Sequence, residues 1–187
     1  SILSANMLGN SDFYTGAFPA EYGNALSGVF DINLRNGNNQ ENEFTIQAGV
    51  LGIDLSAEGP FKKGYGGSFL FNYRYSTLSL LNDFGIQVSE NTIADYQDLS
   101  FKINLPTKKI GTFSIWGIGG LSSDDEKYLP DSSEYFDDGY SDYTRTGMYA
   151  TGLSHTIFTD KKSYVQTVFS ISNSYSSEDF QEMDLKG

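Results

Sequence analysis

The chain has 187 residues, enough for one ordinary domain or for part of a larger one, and 24 Asp+Glu against 12 Lys+Arg leave a net charge of −12. That balance argues against an electrostatic grip on nucleic acid. The absence of Cys removes disulfides, thiolate zinc sites and cysteine nucleophiles, and the single histidine, His155, leaves no partner for a histidine-based metal site.

Aromatics at 15%, 20 Gly and only 4 Pro favour short strands and tight turns. No run approaches the ~18 apolar residues of a membrane helix, which excludes helical membrane proteins but leaves barrels open.

In residues 1–42, Pro19 and Gly23 punctuate a loop. Gly28 then opens an alternating strand, Val29-Phe30-Asp31-Ile32-Asn33-Leu34, which Asn36-Gly37-Asn38-Asn39 ends. From Phe44 the period is two: Phe44, Ile46, Ala48 and Val50 alternate with Thr45, Gln47 and Gly49. After Leu51-Gly52 the apolar set moves to Ile53, Leu55 and Ala57. A two-residue hairpin loop pairing Val50 with Ile53 accounts for the shift.

Phe69, Phe71, Tyr73 and Tyr75 form the next strand, followed by Phe101, Ile103 and Leu105. A weaker strand starts at Phe113 and Ile115 and contains Trp116 and Ile118, with faces that the pattern does not separate. Residues 143–158 read as a long strand with mixed faces, and Val165, Thr167, Phe169 and Ile171 mark the last of seven.

Two kinds of connector alternate. The short ones are Pro60–Gly66, Pro106–Gly111 and Thr159–Lys162; the long ones are Thr77–Gln97 and Ser122–Asp142. Six of the nine lysines sit as pairs in the short turns, and eight of the 24 acids lie between Asp124 and Asp142. An up-and-down order of strands puts the short turns at one end of the sheet and the long loops at the other. Only the hairpin at Leu51-Gly52 keeps that order.

Loop asymmetry and an aromatic-rich face resemble a bacterial outer-membrane barrel, with short periplasmic turns and long extracellular loops. Tyr73/Tyr75 and Tyr143/Tyr149 suit its interfacial girdle. A soluble β-sandwich adhesin is the rival, because alternation does not distinguish lipid from a protein core.

The run Phe-Pro-Ala-Glu-Tyr-Gly-Asn-Ala-Leu-Ser-Gly-Val-Phe-Asp at 18–31, which includes Glu21, Tyr22, Gly23 and Gly28, resembles the end of the plug domain of TonB-dependent outer-membrane receptors. The variant is similar to Bacteroidetes receptors that carry a carboxypeptidase-regulatory-like domain before the plug. Their Glu-Gly-Pro turn and aromatic Tyr-Arg strand match Glu58-Gly59-Pro60 and Tyr73-Arg74-Tyr75-Ser76.

The resemblance implies an all-β fold in which 1–42 is the C-terminal part of the plug. Residues 43–187 are then the first seven or so strands of a transmembrane antiparallel barrel of about 22 strands. It further implies an outer-membrane location, contact with lipid, and energy from the TonB complex delivered through an N-terminal part outside these residues. The expected function is active import of a siderophore, cobalamin, glycan or peptide. The alternative is a receptor-like barrel serving as a structural or assembly subunit of a larger outer-membrane complex.

No enzymatic constellation emerges. Nothing marks a Ser and Asp around His155 for a triad. Gly64-Tyr65-Gly66-Gly67 and Gly117-Ile118-Gly119-Gly120 lack a phosphate-loop Lys-Ser/Thr. With aliphatic residues outward, Asp54, Glu58, Asn72, Arg74, Lys102 and Asn104 point into the lumen, where a plug tolerates charge.

Arg35 is the plug base nearest in sequence to Asp54 and Glu58, so an ion pair with one of them is expected. The acids Asp124, Asp125, Glu126, Asp131, Glu134, Asp137 and Asp138 form an expected extracellular loop facing ligand or a surface lipoprotein. Their oxygens have the chemistry for Ca²⁺, but no fixed ligand spacing is present. A solvated loop is the simpler reading, and no cofactor or resident metal is expected.

Overall fold

The computed structural model describes residues 4–23, 27–49, 52–76, 81, 92–126 and 140–182. It is nearly all β. A short 3-10 turn at Ala5–Met7 precedes β1 (Asp12–Tyr14) and β2 (Val29–Asp31), which pair antiparallel. The second sheet has seven strands: β3 (Glu43–Ala48), β4 (Ile53–Pro60), β5 (Ser68–Tyr75), β6 (Thr92–Pro106), β7 (Thr112–Glu126), β8 (Tyr140–Phe158) and β9 (Tyr164–Glu182). They lie side by side in chain order, each antiparallel to the last.

Several boundaries differ from the sequence reading. The strand expected over Val29–Leu34 stops at Asp31. Its partner bends away at Gly9–Ser11, where Ser11 Oγ accepts the Asn33 N–H at 3.2 Å, and Leu34 resumes pairing only as a bridge to Leu8. The first hairpin reverses one residue earlier than expected. Ala48 partners Ile53, and the Gly49 N–H donates to Gly52 O at 2.9 Å, in place of a Val50–Ile53 pair. Val50 and Leu51 lie outside the described residues, as do 24–26 of the plug-like run. Parity, and therefore facing, is unchanged. Glu58-Gly59-Pro60 is not a turn but the end of β4, paired with Leu70, Phe69 and Ser68.

The long connectors are shorter than the loss of alternation suggests. Thr92–Gln97 pairs with Leu121–Glu126, and Glu126 partners Asp142. Ladder hydrogen bonds thus hold polar residues extended where no apolar pattern marks them. Asp124, Asp125 and Glu126 are therefore strand residues, not loop residues; Asp131, Glu134, Asp137 and Asp138 lie outside the described residues.

The short turns form as expected from their glycines and polar caps. Gly64, Gly66 and Gly111 take φ of 80°, 84° and 87°, a region closed to most L-residues. In the β8–β9 turn Asp160 Oδ1 accepts the N–H groups of Lys162 and Ser163 at 2.6 and 2.9 Å.

The register sorts side chains onto two faces. One face contains the rows Thr45–Ser56–Asn72–Ser100, Gln47–Asp54–Arg74–Asp98 and Glu43–Glu58–Leu70–Lys102. The N-terminal segment lies against it. Ser56, Glu58, Ser68, Asn72, Asp98 and Ser100 are buried there, whereas the buried apolar side chains among the described residues are Met7 and Leu70.

The opposite face stays open. Phe44 and Ile46 of β3 and Phe169, Ile171 and Tyr175 of β9 are between 55% and 77% exposed. This reverses the usual arrangement, in which apolar side chains fill the interior and polar ones meet water.

Candidate functional site

The covered face gathers most of the chemistry singled out in the sequence. Arg35 follows the Leu8–Leu34 bridge, and its own N–H donates to Met7 O at 3.0 Å, which aims the side chain at the sheet. The guanidinium forks onto Glu58, with Nη2 to Oε1 at 2.5 Å and Nη1 to Oε2 at 2.7 Å, while Nε donates to Asn6 O at 2.6 Å. The expected ion pair thus forms with Glu58 rather than with Asp54.

Glu58 Oε2 also accepts the Asn38 N–H at 2.7 Å, so one carboxylate holds both Arg35 and the chain three residues beyond it. The hydrogen bond to Glu58 raises the Arg35 pKa above its ordinary value, against the opposing effect of partial burial. Gly37 lies between these two anchors. A Cβ there would fall on Phe69 O, so only Gly permits this approach to β5.

Two further attachments flank the pair. Ser4 Oγ donates to Asp54 Oδ2 at 2.6 Å, and Asn72 Nδ2 donates to Asp54 Oδ1 at 2.5 Å. Lys102 Nζ donates to Leu34 O at 2.5 Å. Within the sheet, Arg74 Nη2 pairs with Asp98 Oδ2 at 2.5 Å, both largely buried.

Asp98, Ser4, Asn38 and Gly37 were missed in the sequence. Asp98 was legible, because extending the Phe101 alternation backwards places Leu99 on the apolar face and Asp98 on the polar one. The other three carried no local signal, since their partners are distant in sequence.

Glu21, Tyr22 and Gly23 are placed elsewhere, in the loop between β1 and β2. The Tyr22 ring lies 5.7 Å from that of Tyr14, and Gly28 lies against the Tyr14 carbonyl. Asn104 accepts from Ser114 Oγ at 3.2 Å on the covered face. The cover is uneven: Ile32, Asn33 and Leu34 border a cavity whose other wall includes Lys102, Trp116, Ile118 and Val168.

The open face is organised differently. Its central rows run Gly59–Phe69–Ile103–Ile115–Leu153–Phe169, Ala57–Phe71–Phe101–Gly117–Thr151–Ile171 and Leu55–Tyr73–Leu99–Gly119–Tyr149–Asn173. The rows on either side are Leu105–Phe113–His155–Thr167 and Ile53–Tyr75–Gln97–Leu121–Gly147–Tyr175. None of these residues is Asp, Glu, Lys or Arg. At the same heights the covered face carries Glu43, Asp54, Glu58, Arg74, Asp98 and Lys102.

Tyr73, Tyr75, Tyr149 and Tyr175 fall in two adjacent rows toward one end. Tyr143 is further out, under the Arg145 guanidinium, which sits 4.5 Å from its ring centroid. Glycine makes room for rings on this face: a Cβ at Gly117 would meet the Phe101 ring at 2.5 Å.

His155 stacks on Phe113 with centroids 4.3 Å apart, and its Nε2 bonds Ile110 O at 2.6 Å. Among the described residues no group of three His, Cys, Asp or Glu is placed to hold a metal ion. No family model matches this chain, and neither the curated proteins nor the solved structures contain a significant match to it.

Proposed function

We propose that the chain is part of a TonB-dependent outer-membrane transporter, with residues 1–42 belonging to its plug and the seven-stranded sheet to the wall of its barrel. One observation carries this reading: the apolar face is open over five rows without a charge, while the polar face of β4 to β6 is buried beneath the N-terminal segment. In water such a sheet would leave its apolar rows unpaid for, with Met7 and Leu70 as its buried apolar side chains among the described residues.

In a bilayer the open rows meet hydrocarbon and the polar rows enclose the plug. Phe113 to Leu121 spans nine residues, about 27 Å along the strand and about 20 Å across a membrane at a tilt near 40°. That height approaches the ~25 Å apolar band of outer-membrane barrels, and the tyrosine rows mark one of its edges.

On this reading the protein imports a scarce nutrient by active transport, and the plug is held to the wall by the Arg35–Glu58, Ser4–Asp54 and Lys102–Leu34 contacts. The test is growth of the parent strain, a deletion of this gene and a TonB-deficient strain on limiting siderophore, cobalamin, glycan or peptide. Loss of growth on the same nutrient in both mutants supports import. A deletion that disturbs a surface complex while leaving every uptake intact would favour the structural-subunit reading.

A further inference from the structure

The short-turn end of the sheet combines two kinds of exposed group. Lys62 and Lys63 stand in the β4–β5 turn, Lys108 and Lys109 in the β6–β7 turn, and Lys161 and Lys162 in the β8–β9 turn, all exposed. Among the described residues none of the six makes a salt bridge, and Asp160, the acid beside the last pair, is engaged by backbone N–H groups. Interleaved with the lysines are exposed rings and aliphatics: Phe61, Tyr65, Ile110, Phe158 and Tyr164. Phe61 lies 5.8 Å from Phe69 of the open apolar face, so the rim continues that face at the β4–β5 turn, whereas Phe158 and Tyr164, 5.9 Å apart, fall on the register of the covered face.

A turn that needs only solubility gains nothing from exposing Phe61 and Tyr65 beside its lysines. Rings below a layer of ammonium groups suit one surface in particular, where hydrocarbon gives way to phosphate. The opposite end has the reverse sign, with Asp95, Asp124, Asp142, Glu178 and Asp179 beside the single base Arg145 among the described residues at the far ends of β6 to β9.

We propose that the short-turn end docks on the anionic phospholipid headgroups of the leaflet it meets, with the rings at the acyl boundary and the three lysine pairs on the phosphates. This rests on the lipid-facing reading of the open face. The ammonium groups donate to phosphate oxygens as point charges, and the acidic far end is repelled by the same headgroups, so the contact also favours one orientation.

The test uses the full-length protein in phosphatidylcholine vesicles with or without equimolar phosphatidylglycerol, and spin-labelled analogues of both lipids report which headgroups sit at the protein. A lysine at an anionic surface is worth about a fivefold change in affinity, so at least that preference for phosphatidylglycerol is expected. Changing all six lysines to Gln removes the preference, as does 1 M salt, where the screening length is about 3 Å. Insertion into pure phosphatidylcholine stays unchanged in the six-fold variant.

Equal association of the two lipids with the unaltered protein, or a preference that survives all six substitutions, overturns the proposal while leaving the lipid-facing reading intact. Failure to insert into either vesicle overturns both.

Discussion

Removing Arg35 is the most direct probe of how the N-terminal segment is held. In Arg35→Ala, Glu58 keeps the Asn38 N–H but loses two charge-assisted bonds of 2.5 and 2.7 Å, at a carboxylate that is only 7% exposed. Breaking a fully buried ion pair by deleting one partner costs about 3–5 kcal/mol. The Arg35 side chain is 34% exposed, so water screens part of that, and roughly 2 kcal/mol is the appropriate magnitude.

That corresponds to about a thirtyfold increase in the opening equilibrium. It is read by amide hydrogen exchange over residues 33–38, where the Arg35 and Asn38 N–H groups are bonded to Met7 O and Glu58. Arg35→Lys keeps the charge without the planar fork and loses about half the effect. In the double variant Arg35→Met/Glu58→Met no charge is left unpaired, so the Arg35 amide exchanges more slowly than in Arg35→Met alone, whereas the Asn38 amide, deprived of its Glu58 acceptor, exchanges faster.

The sign of the Arg35 shift sets the pH behaviour. A folded pKa raised above the ordinary guanidinium value gives stability that is fully present throughout the neutral range and is lost only in strong alkali. Exchange over residues 33–38 that stays within threefold of the unaltered protein in Arg35→Ala would refute the clamp.

Three other outcomes are expected. Ile171→Arg, at a position 62% exposed in the middle row of the open face, lowers the unfolding free energy in lipid vesicles by about 2–4 kcal/mol, whereas Ser172→Arg on the other face costs under ~1 kcal/mol; equal effects in urea titrations would contradict lipid contact. Gly37→Ala forces the chain off Phe69 O and costs about 1–3 kcal/mol, seen as lost exchange protection at Asn38. The Asp160 pKa is lowered, first by the Lys162 N–H and then by that of Ser163, against the opposing effect of desolvation. The stability it gives is therefore present above about pH 3.9 and is lost as pH falls through the lower folded value. Protection factors at Lys162 and Ser163 hold from neutral pH down to that range and then drop, and Asp160→Ala abolishes the step.

Period-two alternation, glycine placement and the paired lysines were enough to reveal seven antiparallel strands in chain order, their short turns and, outside β7 and β8, the two faces. These are local properties: a side chain's face follows from parity, and a turn from the φ its residues accept. The ends of the strands were not local. Leu121–Glu126 and Tyr140–Asp142 are extended because a neighbouring strand offers them hydrogen bonds, which no pattern within either segment records.

The same limit applies to the covered face. The sequence placed Arg35, Asp54 and Glu58 within reach of one another in the chain. The choice of Glu58 came from the Met7–Arg35 and Gly37–Phe69 approaches, which fix where the guanidinium emerges. Alternation alone left open whether the apolar or the polar rows would be covered. That was decided only when the N-terminal segment took the polar side, because hydrogen-bonding groups buried together can satisfy one another, whereas charges laid against an apolar sheet cannot.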